Sequence, residues 1–484
     1  MDHLDAIIAS YLPGPATFSA TQLAVLCIGV LVCGSGYYIR TFRNNIDLRD
    51  DTVGDFKYAH PSSESSTSDS QLEKDPGNYG YPPITPLPGS FDYSTTEPLK
   101  LRPFKPRYHL TMAISTLDPS ELIPMDKTYK SRLELRKNLL ADERIRGIVR
   151  GVNLQLDSPE TNRRVREALC EWYAFVMGGY LPTRYPVIFR LLPGSVGKAT
   201  TGEPGAMLES LVTGLKVPID PVKLMESHSP SAHPTDLSRQ TEKANSNLTN
   251  EKHKLLHLLD TLGTWIDEDF LILLPSPDPS PQLPSQPADP IYHLQAYTTH
   301  YPAGFNPSEK LSLPLSTIHA PVPGYKAKLE KSMDRFFARV EVGKFVVRTN
   351  WSVMTPGTGL FAGFGGLHDH TPASHGNSGE GVVDKDGDAD GDEKIGKEIP
   401  VEWFDGEDTK LRVERQTLHR LPHSKAIVFG FHTYTYPLQE IKDEGLGEDM
   451  AAAIDGLKEG NVPDIYGYKR GPYWAGSVKA FLRS

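Results

Sequence analysis

Leu411-Arg-Val-Glu-Arg-Gln-Thr-Leu-His-Arg-Leu-Pro422 is the stretch whose reading decides the fold. Read as a strand, it puts Arg412, Glu414 and Gln416 on one face and Val413, Arg415 and Thr417 on the other. Residues 345–352 and 426–436 read as further strands, residues 292–300 alternate in the same way, and residues 270–274 form a short apolar run. Helical spacing marks residues 131–140, 162–177, 254–267 and 325–340. The second of these places Val165, Leu169, Trp172, Tyr173 and Val176 on one face. Strands and helices mix without a repeated βαβ order and without a glycine-rich phosphate loop. The expected class is therefore α+β with a largely antiparallel sheet and flanking helices.

Composition narrows the partners. The 484 residues carry 51 Lys+Arg against 61 Asp+Glu, a net charge of −10, which disfavours nucleic acid. Three cysteines, Cys27, Cys33 and Cys170, are too few for a disulfide framework, a four-cysteine zinc site or an iron–sulfur cluster. Nucleophile-elbow, Walker, His-Glu-x-x-His and dinucleotide signatures do not stand out.

The chain divides by composition. Residues 1–19 are an N-terminal extension, and residues 20–40 are an apolar run of the length needed to cross a bilayer. Asp2 and Asp5 precede that run and Arg40 and Arg43 follow it, so the expectation is a single-pass membrane anchor with the C-terminal domain in the cytosol. A buried core helix or an uncleaved targeting segment is the alternative. The sequons at Asn247 and Asn350 are usable only in the opposite orientation. Residues 41–100 read as a disordered tether, rich in Ser, Pro and Gly. The folded domain is expected over residues 101–484, with disordered inserts near 227–254, 275–290 and 370–397. Within the last insert, Asp386-Gly-Asp-Ala-Asp-Gly391 imitates a calcium loop. Lys397 stands where the bidentate Glu is required, so an acidic solvated insert is the preferred reading.

The local chemistry is ambiguous by itself. His319 follows a short apolar run and precedes Pro321 and Pro323, which stiffen the backbone. Such an imidazole suits an axial metal ligand and equally suits a packed structural histidine. Arg184, Arg412, Arg415 and Arg420 could fork onto cofactor carboxylates or serve structural salt bridges. Asp267-Glu-Asp269 could place a carboxylate at a pocket edge or be an exposed cap. Arg348-Thr-Asn-Trp351 joins a charge, an amide and an indole.

Taken in order, the blocks Arg107-Tyr-His-Leu-Thr-Met-Ala-Ile114, Met125-Asp-Lys-Thr-Tyr129, Leu181-Pro-Thr-Arg-Tyr-Pro186, Ile266-Asp-Glu-Asp-Phe270, Ile318-His-Ala-Pro-Val-Pro-Gly324, Asn350-Trp351 and Arg412-Val-Glu-Arg-Gln-Thr-Leu418 resemble the haem-dependent oxidative N-demethylase alpha-subunit family. The resemblance implies a haem-binding fold related to the Per-ARNT-Sim (PAS) domain, an antiparallel sheet with flanking helices. It implies haem b with an axial histidine, for which His319 is expected and His109 is the rival. It also implies monooxygenase-type oxidation of a small amine by O2, with electrons from a separate reductase. On that reading Arg184, Arg412, Arg415 and Arg420 are cofactor-binding, Glu268 or Asp269 holds a substrate ammonium, and Tyr129 or Tyr185 donates a hydrogen bond. A haem-based PAS-like sensor, or a ligand-binding protein without turnover, is the alternative, because fold does not fix function.

Overall fold

The computed structural model describes residues 80–194, 205–227, 240–276, 289–303, 305–355 and 404–484. In chain order the strands are β1 (Ser115–Thr116), β2 (Arg150–Val152), β3 (Phe189–Leu192), β4 (Met207–Ser210), β5 (Lys216–Pro218), β6 (Asp269–Pro275), β7 (Tyr292–Thr298), β8 (Phe345–Met354), β9 (Lys410–Arg420) and β10 (Ile427–Pro437). One open sheet runs β1-β8-β9-β10-β6-β7-β2, and β3, β4 and β5 form a small second sheet. Neighbouring strands pair antiparallel throughout. The alternation of β9 and its neighbours predicts an antiparallel α+β sheet with flanking helices, and the open layout is PAS-like, as the resemblance implies.

The two faces of the large sheet are covered differently. Along β9, Thr417 and His419 point to one face while Gln416 and Leu418 point to the other. The Thr417 face is dry. Pro159–Ala174, the π-helical turn Phe175–Tyr180 that continues it, and Gln240–Trp265 supply Trp172, Phe175, Leu258 and Leu262 to a core shared with Phe270, Ile272 and Val428. At the other end of the same face, Gly447–Asp455 and Gly471–Arg483 bury Met450, Ile454 and Trp474 against Val413 and Tyr434. The Leu418 face packs Tyr325, Met333 and Phe337 against Val346 and Ile427. These three come from Tyr325–Lys328 and Glu330–Arg339, two helices where one was expected, separated at Leu329 (φ −121°). Tyr325, Leu329, Met333 and Phe337 are all buried across that break.

Two boundaries differ from expectation. The fold begins by Gly80, well before Leu101. Tyr81 is 1% exposed and its ring stacks on Phe175 with centroids 3.5 Å apart. The following residues form no helix or strand, yet they are pinned: Leu87 N donates to Arg184 O (2.9 Å) and Lys127 N donates to Thr96 O (2.9 Å). Scattered aromatics between prolines give no periodicity, so the stretch looks like a linker while it docks like a strap. The helix Gln240–Trp265 likewise starts inside the polar stretch assigned to an insert. Its apolar anchors, Leu255, Leu258, Leu259 and Leu262, lie in its C-terminal half, and helix-forming polar residues extend it backwards.

Among the described residues no helix is long and apolar enough to cross a membrane. The run at 20–40, the calcium-like loop, and most of the inserts at 275–290 and 370–397 lie outside the described residues.

Candidate functional site

In a central strand, a side chain left half-exposed on an inner face marks a place where no other element packs. On the Leu418 face this occurs at Leu271 of β6, Phe429 of β10, Glu414 and Gln416 of β9, and Arg348 and Asn350 of β8. Register makes them one patch: Phe429 opposes Leu271, Arg348 opposes Gln416, and Asn350 opposes Glu414. The partly buried Met112, Ile114, Leu311, Ile318 and Val322 pack around the same cluster. The result is a bay with an apolar half toward β6 and a polar half toward β8.

His319 belongs to this side of the sheet. It caps the single turn Leu315–Ile318, and both its main-chain N–H (3.0 Å) and its ring Nδ1 (2.8 Å) reach the Leu315 carbonyl. A carbonyl oxygen only accepts, so Nδ1 carries the ring proton and Nε2 presents a lone pair. Burial, with the charges of Arg348 and Lys310, holds the imidazole below its usual range against the Leu315 hydrogen bond, which keeps it neutral. Tyr325 stacks on the ring at 5.2 Å. A neutral imidazole oriented by a backbone carbonyl, with its second nitrogen open, is how metal-ligating histidines are held. His109 is exposed.

The polar half of the bay is set by opposed charges. Glu414 accepts from Arg412 Nη2 (3.1 Å) on one oxygen and from Gln416 Nε2 (2.9 Å) on the other. Lys469 Nζ donates to Asn350 Oδ1 (3.1 Å) and to the Trp351 carbonyl. Burial pushes Lys469 down to about 8; Glu414 pulls it up and Arg348 pushes it further down. Arg348 Nε finds no acceptor among the described residues.

The other sequence-picked residues do not converge on the bay. Glu268 is 2% exposed on the Thr417 face, in a void lined also by Trp172, His419 and Gly430 that has no room for a water. Its Oε2 meets His432 Nδ1 at 3.3 Å, and burial pushes its carboxyl up against His432 and Arg415. Asp269 is enclosed by Arg136 Nη1 (2.8 Å) and the N–H groups of His300 and Tyr301 (2.9 Å each). Burial opposes its ionisation, but Arg136 and His300 together hold it well below the carboxylate range. Tyr129 donates to the Trp265 carbonyl (2.7 Å) and Tyr185 to that of Ile123 (2.6 Å). Arg184 bonds the Thr85 carbonyl (2.8 Å) and Glu121 (2.5 Å). Arg415 donates to the Glu121 and Leu122 carbonyls on the Thr417 face, and Arg420 to those of Val340 and Phe337 and to the Tyr292 hydroxyl. Of the expected cofactor-binding set, His319, Arg412 and Arg420 therefore lie on the bay's side of the sheet, with Arg420 tied to the Val340 and Phe337 carbonyls.

Glu414 and Arg348 were visible as charges on alternating strands, though which face lay open was not. Lys469, in Tyr466-Gly-Tyr-Lys469, gave no signal, because only the tertiary fold brings it beneath Asn350.

The family model described as haem-dependent oxidative N-demethylase, alpha subunit-like, matches residues 113–479. The chain belongs to that family. No curated protein matches the chain. The haem-dependent oxidative N-demethylase alpha-subunit-like family is one of haem-dependent oxidoreductases of the monooxygenase type, and this chain is accordingly an enzyme of that kind. Toward the group the family name implies, this side of the sheet offers partly buried apolar residues, an imidazole whose Nδ1 is tied to a carbonyl, and the nearby charges of Arg348 and Lys310. Among the described residues no three or more His, Cys, Asp or Glu side chains gather to hold a bare metal ion. Haem brings its own equatorial nitrogens, so one imidazole suffices for it.

Proposed function

We propose that the bay between β6, β8, β9 and β10 and the Leu315–Ile318 turn holds haem b, with His319 Nε2 as the axial ligand. The observation that carries this reading is the Nδ1–H···O=C bond to Leu315, which leaves Nε2 open beside a half-covered apolar sheet face. Bound haem supplies iron redox chemistry toward O2. The chain's own residues do the rest. Leu271 and Phe429 offer a dry wall for a flat apolar macrocycle. Glu414, oriented by Arg412 and Gln416, is a fixed carboxylate in the bay that can accept from an alkylammonium. On this reading the reaction is oxidative N-demethylation of a small secondary amine, which the family's description supports. One oxygen atom of O2 goes to the methyl carbon, which leaves as aldehyde; the other leaves as water. A pair of electrons and a pair of protons come from outside. With three cysteines in the whole chain, the electrons come from a separate redox protein.

The test is the absorption spectrum of the purified full chain after haem loading. The wild type shows a Soret band, His319→Ala loses or shifts it, and added imidazole restores it. A colourless wild type would sink the proposal. Formaldehyde release from dimethylamine with a surrogate reductase then establishes turnover; a Soret band with no aldehyde would favour a sensor.

A further inference from the structure

We infer that Arg348 is the carboxylate anchor of the bay and takes a haem propionate; this rests on the reading that the bay is the haem site. Arg348 sits on β8 opposite Gln416, facing the same side as Asn350 and Glu414, and close enough to His319 to be felt by it. Its isolation sets it apart. Arg132, Arg136, Arg184, Arg412, Arg415 and Arg420 each donate to a carboxylate or a carbonyl. Arg348 makes no salt bridge or hydrogen bond among the described residues, and its Nε is buried without an acceptor. Burial lowers its pKa, and Tyr108 and Glu414 only partly offset this.

Glu414, the carboxylate that offsets this in part, is itself held by Arg412 and Gln416. Arg348 is half-exposed, but its Nε is withdrawn from water without an acceptor, and a buried donor left unpaired is costly. The planar guanidinium fork fits a carboxylate on two bonds at once. The substrate does not fill this role: an alkylammonium is a cation, suited to the Glu414 carboxylate and not to a guanidinium. What the fork requires is an anion delivered to the bay, and haem carries its propionates at the edge of an otherwise apolar disc. Such a disc laid on Leu271 and Phe429 turns that edge toward the polar half of the bay, where Arg348 lies.

The test titrates haem and haem dimethyl ester, whose propionates are esterified, into the full-length apo-protein and its R348Q and R348K variants. For free haem, R348Q weakens binding about tenfold or more, as expected for the loss of a charge-assisted pair, and R348K restores part of it. For the ester, wild type and R348Q bind alike. Unliganded R348Q melts at the same temperature as wild type or higher, because it lacks an unpartnered charge. Equal weakening of haem and ester, no weakening of either, or a lower melting temperature of the unliganded variant would each overturn the inference. A wild type that binds neither compound refutes the haem reading itself.

Discussion

Replacing His419 with Phe should stabilise the protein, and by more in acid. The imidazole is fully buried and stacked on Phe345 at 4.6 Å and 13°, with Trp172 at 5.5 Å and Tyr81 at 5.8 Å. Neither ring nitrogen has a partner among the described residues. Burial alone pushes the group down to about 3. A base with a depressed folded pKa contributes full stability above its unfolded value, and that stability is lost as pH falls toward the folded value. The unfolded value is about 6.5, so pH 5 lies roughly 1.5 units below it; at about 1.4 kcal/mol per unit, the wild type loses roughly 2 kcal/mol there through this residue. The phenyl ring keeps the stack, cannot titrate and leaves no polar atom orphaned. Urea unfolding of wild type and His419→Phe at pH 7.5 and pH 5 isolates the effect, since other titrating groups are common to both. The stability gap should widen by roughly 2 kcal/mol at pH 5. A gap independent of pH would mean that the native imidazole is partnered or already charged. The variant should also keep its Soret band; loss of the band here, with retention in His319→Ala, would move the iron to the opposite face.

Asp269→Ala removes the carboxylate that neutralises Arg136 and caps two backbone N–H groups, and should cost about 3–5 kcal/mol in urea or thermal unfolding; a loss under about 1 kcal/mol would show that it is no strut. Because its folded pKa is depressed, its contribution is complete above the unfolded value of about 3.9 and falls away in stronger acid. Lys469 should react with an amine-selective reagent with a midpoint near 8, against about 10.4 for an ordinary lysine, as mass spectrometry of labelled peptides across pH can read; a midpoint matching surface lysines would place Nζ in water.

The sheet was readable where burial enforces a strict period. The Arg412/Glu414/Gln416 face predicted from alternation is the face observed, because β9 is central and paired on both sides over its whole length. The helix ending at Trp265 was seen only through its leucines, since its first turns carry no apolar face. Residues 80–100 were misjudged because a strap of isolated aromatics docks by shape, which has no period. The site was half legible. His319 and the arginines stand out by type, but a hydrogen-bonded arginine and an idle one look the same in a sequence. Only partner accounting separates Arg415, held by the Glu121 and Leu122 carbonyls, from Arg348. Glu268 and Asp269, adjacent in the chain, drew one functional reading, yet each closes a different internal charge set.

Because the sheet is a single backbone thick, β9 behaves as a reading frame with two outputs. Gln416 and Thr417 are neighbours in the chain but belong to rooms that share no contents. A deletion of one residue in this strand would post the Arg415 guanidinium into the bay and Gln416 into the dry void, exchanging both inventories at once. Tolerance to insertion or deletion should therefore fall to nothing across Lys410–Arg420, while single substitutions at the half-exposed Glu414 and Gln416 alter ligand binding and those at the buried Arg415, Thr417 and His419 alter folding.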